Sequence, residues 1–270
     1  MTASTSISAH GVARSAPMQG LARAGLAARA TVYLLIGVLA LALALGERHG
    51  ETDQRGALQA LTQHTGGTVL VWLIAIGLFG YALWRFSEAA FGVVGEGNKT
   101  GPRLQSLARG LSYLFLAISA VKVAAHAGAG SQAGQQELWT AKAMQHTGGR
   151  WIVGIVGAII VVCGAVLVWE GIKHKFEKYF ELGRMTVTQR KVVEVLGTVG
   201  TAVRGVVFAL AGVFVIVAAV KANPHKAGGL DQALRELLRI SAGPFLVVLA
   251  GIGLIIFGLY GYTEAKWRKT

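Results

Sequence analysis

The sequence predicts an all-α, polytopic membrane protein in which six transmembrane helices form three tandem two-helix repeats. Three observations carry this expectation. The 270-residue chain is 53% hydrophobic and 14% charged, whereas a soluble domain devotes about a quarter of its residues to charge. Six apolar runs, at 30–46, 68–84, 110–121, 151–169, 205–220 and 245–263, are on the scale needed to cross a hydrocarbon layer, roughly 17–25 residues at about 1.5 Å rise each. The pentapeptide QHTGG stands twice, at 63–67 and 145–149, and recurrence of that kind marks an internally repeated architecture.

Residues 1–20 are expected to form a disordered cytoplasmic N-terminus, the first 16 being rich in Ser, Thr and Ala. The first apolar run follows Arg14, Arg23 and Arg29 and contains Ala42-Leu43-Ala44, features shared with signal peptides. It is also one copy of a repeated unit, so it reads as a retained helix. The third run has 12 residues before Lys122 and spans only if it continues to His126 with the lysine stem snorkelling to the interface. Cys163, the lone cysteine, lies within the fourth run and reads as a small packing residue.

The repeat extends far beyond the pentapeptide. His64 precedes Glu88 and His146 precedes Glu170 by the same 24 residues, and Ile240 precedes Glu264 likewise. ISAGP at 240–244 is therefore an eroded third copy, with Thr65-Gly66-Gly67 matching Ser241-Ala242-Gly243. Upstream, an arginine is followed four residues later by an aromatic in each copy: Arg29 and Tyr33, Arg109 and Tyr113, Arg204 and Phe208. The units run 21–95, 102–182 and 189–270. In the motif glycines, Gly66, Gly67, Gly148, Gly149 and Gly243, the preceding Thr or Ser is expected to cap the helix and the glycine to allow close packing. The second helix of each unit carries small residues seven apart, Ala75/Ala82, Gly157/Gly164 and Gly251/Gly258. Two turns of helix put each pair on one face, a seam for close helix approach in lipid.

Segments 57–61 (ALQAL) and 233–237 (ALREL) predict short amphipathic helices on the outer interface, with Leu58 and Leu61 matching Leu234 and Leu237. The second copy offers Trp139 instead. Segment 172–184 spaces Ile172, Phe176 and Phe180 four apart among lysines, predicting a basic amphipathic extension of the fourth helix, ended by Gly183. Pro102 suits the first turn of a lead-in helix.

The net charge of +13 sorts by connection. Seventeen Lys and Arg fall on the side bearing both termini and nine on the other, so the positive-inside rule places both termini in the cytoplasm, against an anionic inner leaflet. No aromatic–basic pattern accompanies the charge, and nucleic acid is not an expected partner. Arg29, Arg109 and Arg204 read as the starts of the odd helices, and Glu88, Glu170 and Glu264 as the ends of the even ones. Both placements oppose the helix dipole, so each glutamate is expected to meet an arginine in a structural charge ring, with a proton or ion path as the alternative. His49, His64, His126, His146 and His225 gather on the outer side without ligand spacing. They read as interfacial polar residues, and His174, among lysines, as solvated. No metal or cofactor is expected. Nor is there a phosphate loop, dinucleotide fingerprint or nucleophile elbow, and Thr31, Ser112 and Ser119 lack a partner base. A non-enzymatic protein is expected.

The stretches at 25–41, 103–122 and 199–216 resemble the opening helix of a bacterial membrane repeat, domain of unknown function 1206. The resemblance implies two-helix units, three in tandem, in the bacterial inner (plasma) membrane, and no catalytic residues. The leading functional expectation is an accessory or scaffold subunit that packs against another membrane complex or itself. A small transporter or channel between the three hairpins is the alternative, and haem or quinone binding through the outer histidines the second.

Overall fold

The computed structural model describes residues 16–47, 50–93, 99–126, 131–146 and 148–269. Its helices are α1 (Ala16–Ala44), α2 (Gln54–Thr62), α3 (Gly67–Phe91), α4 (Thr100–Ala124), α5 (Gln132–Met144), α6 (Gly149–Ile172), α7 (Val187–Val220), α8 (Gly229–Leu238) and α9 (Gly243–Trp267). Six of them, α1, α3, α4, α6, α7 and α9, are long and apolar enough to span a membrane. The chain is thus an all-helical, multi-pass membrane protein, and each unit reads long helix, short helix, long helix.

The helices that open the units begin well before their apolar runs. Ala- and Leu-rich sequence carries α1 back to Ala16, and a Thr186–Gln189 capping box starts α7 at Val187. Residues 16–20, expected to be disordered, are therefore helical, while that expectation for 1–15 lies outside the described residues. Pro102 occupies the first turn of α4.

The QHTGG motif is an elbow. Gly66 and Gly148 are the N-caps of α3 and α6, in left-handed conformation with φ of 76° and 81° and no side-chain cap. The threonine cap expected from the sequence does not form at Thr65, because a positive φ at the first glycine turns the chain directly into the helix. The second glycine answers a different demand. A methyl group at Gly67 would lie 1.7 Å from the Leu61 carbonyl oxygen, and at Gly149 1.7 Å from that of Ala143. Gly243 faces Leu237 at 2.2 Å in the same way. In the third copy the cap is Ala242 at φ −87°, which needs no left-handed residue, and this is why only one glycine survives there.

The spanning helices pack out of phase with the sequence. Each closing helix lies most extensively on the opening helix of the next unit: α3 on α4, α6 on α7, and α9 back on α1. The seam glycines lie at these contacts. Gly164 approaches the Gly205 carbonyl, where a methyl would sit 2.6 Å away, and Gly251 and Gly258 approach Gly37 and Ala30 at 3.0 Å. Gly157 faces Gly212, and Ala75 and Ala82 are buried in α3. Within units, α1 also packs on α3 and α7 on α9, but α4 and α6 of the second unit scarcely touch. The six helices form a broken ring, in the order α4, α3, α1, α9, α7, α6, with its seam between α6 and α4.

The short helices sit over one end of this ring. Leu58 of α2 and Leu234 of α8 are buried, so these helices plug the bundle rather than lie flat on an outer interface. α5 follows the original expectation more closely, with no buried residue and Trp139 70% exposed. The α2 plug is capped by Asp53, whose carboxylate accepts from the Arg55 and Gly56 amides at 3.0 and 2.9 Å. Burial raises this carboxyl from 3.8 to about 7, with the negative charges of Glu51 and Asp231 adding to the effect and the amide bonds opposing it. At the other end, segment 172–184 is not a continuing helix. His174 adopts φ 54°, and a 3₁₀ turn, Lys175–Tyr179, follows. Phe176 and Phe180 then pack against Tyr260, with ring centroids 5.4 and 5.8 Å away. Docking both rings on α9 removes more apolar surface from water than an interfacial helix does.

Two outcomes are expected. Gly149→Ala lowers the thermal midpoint in detergent, costing about 2–3 kcal/mol through overpacking, while Gly20→Ala in α1, where a methyl meets nothing within 4 Å, gains about 0.5–1 kcal/mol. Because Asp53 titrates near 7 when folded and near 3.8 when unfolded, its contribution to stability is greatest below pH 4 and is lost as pH rises through 7. Asp53→Asn keeps the cap, so its melting temperature should exceed the parent's at pH 8 and converge with it at pH 4. A constant offset across that range refutes the assignment.

Candidate functional site

The three repeat arginines do not stand at helix starts. Each lies well inside its helix, and Arg204 falls at the middle of the 34-residue α7. The end dipole fades within a turn, so it does not bear on them. A guanidinium at that depth needs an anion or an aromatic face.

The three units meet that need unequally. Arg29 pairs with Glu264, joining the first unit to the last, and Arg268 donates to the same carboxylate at 2.5 Å. Glu88 is met by Arg85 of its own helix at 2.6 Å and by the Ser106 hydroxyl at 3.0 Å, with Arg85 also donating to the Tyr81 hydroxyl. Glu170, Arg109 and Arg204 make no ion pair or hydrogen bond among the described residues. Arg204 instead faces the rings of Phe257, Phe208 and Tyr33 at 4.8, 5.1 and 5.3 Å, and its Nε is buried without a partner. The expected symmetric ring is thus a lopsided layer, in which the glutamates of the first and third units are paired while Glu170, Arg109 and Arg204 are not.

A further difference between the units lies seven residues before each glutamate. Units one and three place Tyr81 and Phe257 there, against which Arg29 and Arg204 stack. Unit two has Cys163. With a thiol in place of a ring, this position offers Arg109 no aromatic face, and α4 and α6 scarcely touch. Cys163 is exposed and lines a cleft rather than packing in a core, the role expected for it. This cleft, of about 490 Å³, is walled by α4 and α6 and floored by α1 and α7, with Arg109, Glu170, Arg204, Gln105 and Ser112 among its lining. A second cavity of about 500 Å³ continues towards Trp139 of α5 and shares Tyr33, Gln54, Gln132, Arg204 and Phe208 with the first. At that far end Gln132 donates to Gln54 at 2.9 Å.

The histidines do other things. His64, His126 and His146 are exposed, His225 pairs with Glu137 at 2.9 Å, and His49 lies outside the described residues. Among the described residues only His174, Glu177 and Glu194 bring three potential ligands together. His174 is thus not simply solvated: its Nδ1 lies 3.7 Å from each carboxylate, while Lys173 and Lys175 fold over Trp169. Arg190, 3.6 Å from Glu177, already supplies that acid with a cation.

Sequence reasoning missed Arg85, Arg268 and the cleft position of Cys163. All three carry a legible signal. The arginines stand three before Glu88 and four after Glu264, one helical turn away, and aligning the units on their glutamates puts Cys163 in an aromatic column.

Comparison with known proteins agrees with this three-unit organisation. The family described as Domain of Unknown Function (DUF1206) matches residues 24–92, 104–174 and 199–268. The uncharacterized protein YxxB of Bacillus subtilis (strain 168) is 30% identical over 257 residues, covering 92% of each chain. No solved structure matches.

Glu264→Gln leaves two buried arginines facing a neutral group and is expected to cost about 3–5 kcal/mol. Glu170→Gln removes no ion pair and is expected to change stability by less than about 1 kcal/mol. Equal losses for the two variants, measured by thermal unfolding in one detergent, contradict this layout.

Proposed function

This chain belongs to the DUF1206 family, and from that premise we propose that it is a non-enzymatic membrane protein that takes a slender amphipathic molecule from the bilayer into the cleft of its second unit. The observation that carries the reading is the seam between α4 and α6, where the one hairpin that fails to close leaves an apolar cleft open beside unpaired charge. Its volume, about 490 Å³, is within the range of small-molecule sites, roughly 300–1,000 Å³. That space suits a slender, flexible chain.

The geometry favours binding over passage, because the far end is closed by α2 and α5 through the Gln54–Gln132 bond. Haem or quinone held by the outer histidines draws no support, as His64, His126 and His146 are exposed, none of them lines either cavity, and His225 pairs with Glu137. The excess of Lys and Arg on the side of the charged layer supports a cytoplasmic placement of that end.

The reading predicts a bound amphiphile at stoichiometric level after gentle solubilisation, identified by mass spectrometry of an organic extract. A stoichiometric membrane-protein partner with no such molecule would favour an accessory subunit and sink this reading.

A further inference from the structure

We infer that the head of the bound molecule is an oxyanion, a carboxylate or a phosphate, seated between Arg109 and Arg204. The inference rests on the cleft reading above and adds what the cleft selects. Arg29, Arg85 and Arg268 each have a carboxylate in contact. Arg109 and Arg204 have none among the described residues, yet both line the cleft, and Arg204 keeps a buried Nε without an acceptor.

A buried guanidinium with no counter-charge is costly, and the faces of Tyr33, Phe208 and Phe257 offset part of the cost for Arg204 alone. No ring stacks under Arg109 among the described residues, since the position that supplies one in the other units is Cys163. The remaining acid, Glu170, lines the same cleft, as does Arg29, which Glu264 already holds, so the wall presents two cations without a carboxylate to one anion. An oxyanion answers both guanidinium forks by charge-assisted hydrogen bonds. The apolar wall from Val162 and Val166 of α6 to Phe115 and Leu116 of α4 receives the chain attached to it. Ser112 and Gln105 border the same region and add neutral donors.

Cys163 supplies a native reporter, being the only cysteine of the chain and part of the cleft wall. The full-length protein in neutral detergent is alkylated with N-ethylmaleimide in the presence of oleate, lysophosphatidylglycerol or oleyl alcohol. The anionic probes are expected to slow alkylation about tenfold more than the alcohol, the scale of a charge-assisted hydrogen bond in a dry site. Protection by oleate alone assigns the site to free carboxylates, and protection by both anions assigns it to acidic lipid heads generally. Either supports the inference. Arg109→Gln and Arg204→Gln are each expected to reduce protection by oleate to the level of the alcohol. If Arg204→Gln does not fold, Arg109→Gln carries the test. Equal protection by oleate and oleyl alcohol overturns the headgroup assignment while leaving the cleft in place. Protection by none of the probes overturns the cleft reading itself. Discrimination that survives both substitutions removes these arginines from the site.

Discussion

The arrangement depends on one constraint: a guanidinium held among apolar helices must find either a negative charge or the face of an aromatic ring. The chain carries five arginines in one layer and three glutamates to meet them. Glu264 serves two, Arg29 and Arg268, and Glu88 serves Arg85. Rings under Arg204 do part of the same task. Helix order around the bundle follows, because Arg29 reaches Glu264 only if α9 lies against α1. The glycines of that interface allow the approach by removing the side chains that would otherwise hold the backbones apart.

Pseudo-symmetry then gives the departures their meaning. Three copies of one unit lead to three equivalent hairpins, and two of them close. The second has Cys163 where the others have a ring, and Leu167 and His174 where the others place Arg85 or Arg268 beside their glutamates; its seam is open and lined by a cleft.

Much of this was legible in the sequence, and the rest fails for identifiable reasons. The six spans, the unit boundaries and the elbows follow from hydropathy and from repeated spacing, which depend on local chemistry. The threonine cap was misread because the rule for Ser and Thr at helix starts competes with a glycine that turns the chain by itself, and Gly66 and Gly148 prevail. The arginines were placed at helix starts because apolar runs measure where lipid contact begins, whereas α7 begins far earlier, at its Thr186 cap. Segment 172–184 has helical periodicity, yet its two phenylalanines bury on α9, a partner that no local pattern announces. Which arginine meets which glutamate depends on the offset packing of the units, which no local pattern announces.

That offset has a bearing on biogenesis. Because each closing helix rests on the opening helix of the following unit, no repeat contains its own principal partner, and α9 completes a contact with α1, the spanning helix farthest from it in sequence. Until α9 arrives, Arg29 in α1 has no carboxylate, and the Gly37 face of α1 is uncovered. Without α9 in place, a cation and a bare helix groove stay uncovered on α1, and docking of α9 hides both. The ion pair between Arg29 and Glu264 marks the docking of α9 as much as it stabilises the bundle.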